Sequence, residues 1–191
     1  AAACGEVGAT MVYISSDYVF DGEQEEGYDE WDRPRPINVY GRSKEAGEQF
    51  VRVLCPRHFI LRTSWLYGIY GNNFVKAIIR QAQTEERIAV VADQTGSPTF
   101  AAHLADKVSE LVSTRCYGTY HVANSGSCTW FQFARRIVEQ LPSNAVVVPM
   151  TSRELARAAK RPRYSTLRSI GLPAQKFTPM PHWTDALSHF F

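Results

Sequence analysis

Met11-Val12-Tyr13-Ile14-Ser15 runs directly into Ser16-Asp17-Tyr18-Val19-Phe20-Asp21-Gly22, and the reading of this stretch decides the fold. Met11 to Ser15 is short, apolar and rich in strand formers, which is the pattern of a buried strand. From Asp21 to Pro36 the chain is acidic and turn-rich, too polar to be core, and reads as a loop over something. Asn38 to Leu54 then carries apolar residues at helical spacing and stops before Pro56, because proline disfavours helix in the residue before it. His58 to Arg62 reads as the next strand. Strand, loop, helix and strand in this order open an α/β alternation.

Working outward, the alternation continues. Phe74 to Ala82 has helical spacing, Ile88 to Ala92 is extended, and Asp93 to Thr99 (DQTGSPT) is a turn cluster with glycine and proline. Ala101 to Val112 resumes helix, Thr119 to Ala123 is a strand, and Thr129 to Leu141 is a helix with Thr129 as its cap. Ala145 to Pro149 follows as a strand, Ser152 to Ala159 as a short helix, and a last helix starts at Trp183. Strands separated by helices of about ten residues predict α/β architecture with a largely parallel sheet. Ala1 to Gly8 reads as the last turns of a helix ending at a glycine cap, not as part of a glycine fingerprint, since no strand precedes Gly5 and Gly8. A chain that opens inside a helix, without a capping residue, is expected to continue a longer natural sequence on its N-terminal side.

Composition narrows the function classes. The 191 residues are 45% hydrophobic and 21% charged, enough to bury a real core. The formal net charge of +2 shows no basic excess, and arginines are scattered apart from the stretch Arg157 to Arg163, so a nucleic-acid partner is disfavoured. Cys4, Cys55, Cys116 and Cys128 lie far apart with no C-x-x-C pair, which suggests neither a zinc site nor a disulfide framework and fits a reducing, cytoplasmic setting. His103 and His121 lack ligand spacing and read as structural. No segment approaches the ~18 continuous apolar residues of a membrane span, and no charged-then-apolar leader opens the chain.

The chemistry sits at Tyr40 and Lys44. Spaced i and i+4, they share one helix face, and Ser16 at the end of the first strand completes a hydroxyl, phenol and amine set suited to reducing a carbonyl. Reduction needs a proton for the developing alkoxide, and a tyrosine with an ordinary pKa of about 10 is a sluggish donor at neutral pH. The ammonium of Lys44, one turn away, favours tyrosinate and can also hold nicotinamide-ribose hydroxyls. Ser16 would donate to the substrate carbonyl and stabilise charge as it appears. In isolation, Y-x-x-x-K is more often an ordinary amphipathic pair.

The runs ISSDYVFDG, YGRSKEAGE, RTSWLYG, VVADQTGSPT, YHVANSGSCTWFQFA and KRPRYSTL, all in order, resemble the dTDP-4-dehydrorhamnose reductase family of extended short-chain dehydrogenases/reductases. The resemblance implies an incomplete Rossmann-like doubly wound parallel sheet plus a small C-terminal substrate-binding lobe. Residues 1–92 would be the later part of the NADP-binding domain, with the catalytic Ser16, Tyr40 and Lys44, and residues 93–191 mainly the substrate lobe, with interleaved return segments. The family's first βαβ units, with the glycine-rich turn for the dinucleotide pyrophosphate, have no counterpart here. The implied cofactor is NADPH, with NADH possible because the residues that read the ribose 2′ position fall in that absent part; the resemblance says nothing of a Mg2+ requirement.

Also by resemblance, Asp17 and Trp65 approach the deoxysugar of a nucleotide-sugar, Tyr18 lines the same pocket or packs, and Ile14 lies near the cofactor through its backbone. Trp65 has a core aromatic as its alternative reading. Serine stands at Ser16 where the family usually has threonine, which keeps the hydroxyl. Arg161 or Arg163 would meet a diphosphate or equally be turn residues or solvated surface charges, and the helices at Ala101 and Thr129 would build the lobe. The implied reaction is NADPH-dependent reduction of dTDP-4-dehydro-β-L-rhamnose, with this chain as the substrate-side portion. Two other readings stay open: a non-catalytic regulatory subunit like the methionine adenosyltransferase β subunit, which also resembles this family, and an inert fragment. Loss of the first strands would expose a sheet edge, so a homodimer or other self-association is expected.

Overall fold

A computed structural model describes residues 1–155 and 158–191. Along the chain come α1 (Ala2–Glu6), β1 (Met11–Ser16), a 3-10 turn at Asp17–Val19, α2 (Val39–Leu54), β2 (His58–Thr63), β3 (Leu66–Tyr67), α3 (Phe74–Thr84) and β4 (Arg87–Val91). Then follow β5 (Thr95–Gly96), β6 (Thr99–Phe100), α4 (Ala101–Val112), β7 (Gly118–His121), β8 (Cys128–Thr129), α5 (Trp130–Val138), β9 (Val146–Met150), α6 (Gly171–Ala174) and α7 (Trp183–Ser188).

The expected α/β alternation is present, but the strands do not form one sheet. β1, β2 and β7 make a parallel three-stranded sheet in that order, with Ser16 opposite Thr63 and Arg62 opposite His121. β3 pairs with β6 and β4 with β9, both parallel, and β5 pairs with β8 antiparallel. β3, β5, β6 and β8 are two residues each, too short to extend a sheet and long enough to pin loops. Among the described residues β1 is an edge strand.

Alternation along the strands sorts the two faces of the main sheet. Ser15 and Arg62 point at α2, where both meet Glu48. Phe59, Leu61, Tyr120 and Val122 point the other way and bury with Leu104 and Leu111 of α4, Leu172 of α6, Phe177 and Met180. A second core joins α3, α5 and α7 to β4, through Val75, Ile78, Ile88, Phe133, Ile137, Trp183 and Leu187. The chain interleaves these two bodies: α3 and β4 precede residue 92 yet pack in the second core, while β7 returns to the first sheet.

A buried polar chain fixes α2 to the sheet. Glu48, fully buried, accepts from Arg62 at 2.8 and 2.7 Å, from Ser15 Oγ at 2.6 Å and from Arg52 at 2.8 Å. Burial alone would raise its pKa, but the hydrogen bonds and charge of Arg62, with Ser15 and Arg52, hold it below the usual carboxylate range. Arg62 Nη1 lies 3.3 Å from His121 Nε2, while His121 Nδ1 faces the carbonyls of Tyr28 and Arg168 at 3.2 and 3.0 Å. Two carbonyls can only accept, so Nδ1 carries the proton and Nε2 accepts from Arg62. Burial pushes the His121 pKa down to about 4, consistent with a neutral ring. The structural reading of His121 describes its surroundings well.

Local signals place most boundaries. Gly8, at φ +65°, ends α1 in a Schellman motif, with Ala9 N–H on the Cys4 carbonyl at 2.9 Å and Gly8 N–H on that of Gly5 at 3.3 Å. Thr129 caps α5 in a capping box with Gln132. Two expectations fail. The loop from Asp21 to Pro36 is not all surface: Tyr28 is buried, stacks on Phe20 at 4.2 Å, and its hydroxyl oxygen accepts the N–H groups of Gly22, Glu23 and Gln24 while donating to Asp21. The described part of the helix expected over Ser152 to Ala159 is a turn at residues 152–155, tied to Asp93 through the Ser152 N–H and hydroxyl at 2.9 Å each; residues 156 and 157 of that expected helix lie outside the described residues. All four cysteines are unpaired. No helix among the described residues is long and apolar enough to cross a membrane.

Candidate active site

Parallel strands bring their carboxyl ends to one side of a sheet, and the sequence-predicted residues gather there at β1 and β2. Ser16 ends β1 in extended backbone and caps the following 3-10 turn, its Oγ accepting from Tyr18 N–H at 3.1 Å and donating to Asp17 Oδ1 at 2.9 Å. Asp17 is 3% exposed. Burial pushes its pKa from 3.8 up to about 6, against the hydroxyls of Ser165 and Ser16. Its Oδ2 makes no hydrogen bond of normal geometry among the described residues.

Tyr40 reaches this corner because of one glycine. A Cβ on Gly41 would lie 2.0 Å from the Tyr18 carbonyl oxygen, so only glycine lets the start of α2 sit against the turn after β1. Asn38 caps α2 through Gly41 N–H at 2.7 Å, and its amide donates to the Lys160 carbonyl at 2.9 Å. Tyr40, half exposed, then meets the Tyr18 ring edge-on at 5.7 Å. Lys44 lies one turn on, with its ammonium 4.7 Å from the centre of the Tyr13 ring, whose hydroxyl donates to the Lys44 carbonyl at 3.3 Å. Burial first, then the charges of Glu48 and Tyr40, raise the Tyr13 pKa. Ile14, two residues before Ser16, is 38% exposed on the edge strand.

Trp65 follows β2 at φ +45°, an uncommon backbone for a bulky residue. The neighbourhood fixes it: its indole stacks on Trp130 at 3.5 Å, and a Cβ on Gly96 would come within 2.5 Å of the ring. Trp65 is therefore half-buried, packed at the rim of the second core. Trp130 carries the site onward, because it also lines a cleft of about 670 Å3 with Phe74, Val90, Arg153, Lys160 and Arg161. Of the two arginines singled out in the sequence, Arg161 lines this cleft, whereas Arg163 lies over the Tyr164 ring at 5.0 Å.

Sequence reasoning passed over the cleft. Phe74 and Trp130 are each the first residue of a helix, placed by the caps Asn73 and Thr129, so the helix-start signals marked them without saying that both starts converge. Arg153 is held by the Asp93 anchor on its neighbour Ser152. Aromatic faces with three cations beside them suit a ligand that has a flat ring and a phosphate. Thr63, at the end of β2, was also missed; it is buried and its Oγ1 has no hydrogen bond among the described residues.

The whole chain, residues 1–191, matches the family described as RmlD substrate binding domain. It is 42% identical over 198 residues to the dTDP-4-dehydrorhamnose reductase of Streptomyces griseus, covering 100% of this chain and 65% of that protein. The spore coat polysaccharide biosynthesis protein SpsK of Bacillus subtilis is 39% identical over 184 residues, covering 96% of this chain and 64% of that protein. The chain thus spans a little under two thirds of these relatives. A crystal structure of dTDP-4-dehydrorhamnose reductase from Bacillus anthracis in complex with NADP superposes with a TM-score of 0.98 at 52% identity, covering 100% of this chain and 68% of that one.

Proposed function

The chain belongs to the RmlD substrate binding domain family, and on that premise we propose that it is the substrate-side portion of an NADPH-dependent reductase. The reaction is conversion of dTDP-4-dehydro-β-L-rhamnose to dTDP-L-rhamnose. The observation that carries the reading is the meeting of Ser16, Asp17, Tyr18 and Tyr40 at the carboxyl end of β1, next to the end of β2, two residues past which Trp65 stacks on Trp130 at the wall of a cleft with a basic rim.

In this reading the thymine ring enters against Phe74 and Trp130, and the diphosphate meets Arg153, Lys160 and Arg161. The deoxysugar then extends past Trp65 toward Asp17. Ser16 donates to the keto oxygen and holds the charge that develops there, and Tyr40 delivers the proton to that oxygen. Lys44 lies on the same helix face one turn from Tyr40, with its ammonium over the Tyr13 ring. NADPH, when bound, supplies the hydride. The groups of this chain that suit its nicotinamide-ribose end are the Lys44 ammonium, the Tyr40 hydroxyl and the backbone of edge strand β1 at Ile14. Residues 93–191 supply most of the substrate lobe, with α3 and β4 added from the preceding part. The unpaired thiols suit a cytoplasmic enzyme.

Calorimetric titration of the chain with dTDP-L-rhamnose tests the reading without any hydride donor. Saturable binding at one site is expected, weakened by Arg161→Ala, and no heat of binding up to millimolar ligand would sink it. The open edge of β1, next to exposed Ile14, is the surface we assign to self-association; light scattering showing a monomer at all concentrations would remove that part alone.

A further inference from the structure

Resting on the reading above, we propose that Thr63 is a further specificity-determining residue, whose hydroxyl hydrogen-bonds the deoxysugar beside Asp17. Thr63 ends β2 in register with Ser16, which ends β1. Neighbouring strands lie about 4.8 Å apart, and paired residues of a parallel ladder project to the same face. Ser15 and Arg62, one residue earlier on each strand, both point at Glu48 of α2, so Ser16 and Thr63 share the opposite face. The two hydroxyls therefore stand side by side at the same end of the sheet.

Their hydrogen bonding differs. Ser16 Oγ is engaged by Asp17 and by Tyr18 N–H. Next along the chain, Ser64 Oγ donates to the Ser97 carbonyl at 2.6 Å, and Thr99 Oγ1 donates to the same carbonyl at 3.3 Å. Thr63 Oγ1 is buried and has no such partner among the described residues. Buried polar groups are normally paired, and one left over calls for an explanation such as a ligand. At the neighbouring strand end Asp17 Oδ2 likewise makes no hydrogen bond of normal geometry among the described residues, although the Ser165 hydroxyl acts on the same carboxyl. Among the described residues one other buried oxygen lacks a partner, Tyr67 Oη, which belongs to the apolar second core.

The pair is chemically complementary to a sugar. A carboxylate oxygen accepts only, whereas a threonine hydroxyl both donates and accepts, so adjacent hydroxyls of a hexose can satisfy both at once. The aliphatic part of Thr63 would pack against the ring while its oxygen fixes the hydroxyl pattern. A site that hydrogen-bonds a sugar hydroxyl discriminates against sugars lacking it, which makes Thr63 a selector of the hexose and not of the nucleotide.

Isothermal titration with dTDP and with dTDP-L-rhamnose, together with thermal melts, tests this on wild-type chain, Thr63→Val and Thr63→Ser. Valine keeps the shape and removes the hydroxyl. We expect Thr63→Val to bind dTDP like wild type and dTDP-L-rhamnose about fivefold more weakly, the worth of one net hydrogen bond. Thr63→Ser should retain wild-type affinity for both, and the melting temperature of Thr63→Val should not fall, because no internal hydrogen bond is lost. Unchanged dTDP-L-rhamnose affinity in Thr63→Val overturns the role of Thr63 and leaves the nucleotide-sugar reading standing. A lower melting temperature with parallel loss of both ligands marks a structural hydroxyl and overturns it too. A wild-type chain that binds neither ligand overturns the underlying reading, and this proposal with it.

Discussion

Replacing Asp17 by asparagine should make the protein more stable at alkaline pH while weakening its hold on sugar. The carboxyl is 3% exposed, and burial lifts its pKa from 3.8 to about 6 despite the hydroxyls of Ser165 and Ser16. A carboxyl with a raised pKa in the folded state binds its proton more tightly there than in the unfolded chain. Between about pH 4 and 6 the folded protein therefore carries the extra proton, and stability falls as pH rises through that window. The rise from 3.8 to about 6 corresponds to ~3 kcal/mol at ~1.36 kcal/mol per pH unit, present in full above pH 6 as a destabilisation. Asparagine has the same shape, keeps an oxygen to accept from Ser16, and has no charge to bury. For a chain of 191 residues each kcal/mol moves the melting temperature by ~2–4 °C, so Asp17→Asn should gain roughly 6–12 °C at pH 8 and almost nothing at pH 4. Circular dichroism melts at the two pH values measure this directly. A variant that melts at or below wild type at pH 8, or that gains as much at pH 4, refutes the burial cost. Weaker dTDP-L-rhamnose binding by the same variant at pH 8 would show what the fold's expense serves.

Glu48→Gln should act in the opposite direction. It leaves buried Arg62 without its carboxylate, which typically costs ~3–5 kcal/mol, or roughly 6–20 °C in melting temperature at pH 7; a loss under ~2 °C would mean Arg62 finds another partner. Because Glu48 titrates below the usual carboxylate range, its contribution is present above the unfolded pKa and lost as pH falls through the folded one, so the difference between wild type and variant should narrow in strong acid. Gly41→Ala should lower stability by ~1–3 kcal/mol despite alanine's better helix propensity, since its Cβ cannot sit 2.0 Å from the Tyr18 carbonyl. It should also weaken dTDP-L-rhamnose binding more than dTDP binding, and equal effects on both would separate this contact from the sugar end of the site.

What was legible in the sequence was mostly local. Periodicity located α2 and α4, and periodicity with the Thr129 cap located α5, since such a cap acts within three residues of its own position. The glycine cap at Gly8 is equally local. What escaped depends on distant partners: Tyr28 is core because Phe20 offers it a face, and its polar neighbours disguise this by turning their N–H groups onto its hydroxyl. Residues 152–155 are tied to Asp93, 59 positions away in the chain, a partner that local helical spacing does not reveal. The candidate site divides in the same way. Ser16, Asp17 and Tyr18 are consecutive and Tyr40 and Lys44 share a helix, so their grouping could be read directly. The cleft brings together Phe74, Trp130 and Arg161 from three separate parts of the chain, and no spacing rule reaches that far.

The site's position and its hydrogen bonding are set by different means. Close packing at glycines places it: Gly41 lies against the Tyr18 carbonyl and Gly96 against the Trp65 ring, which sets the position of the α2 backbone at Tyr40 and of the indole. The polar groups are less committed. Ser16 donates a hydrogen bond to Asp17, Lys44 rests over Tyr13, and among the described residues Asp17 Oδ2 and Thr63 Oγ1 make no hydrogen bond of normal geometry. A ligand whose carbonyl draws Ser16 away must then satisfy Asp17 Oδ1 as well as Oδ2, and a sugar with hydroxyls beside the reacting carbonyl can do both while a simple ketone cannot. On the proposed function, selectivity would arise from the exchange itself: the Ser16 hydroxyl would be released to the reacting oxygen only by a substrate that replaces it at Asp17.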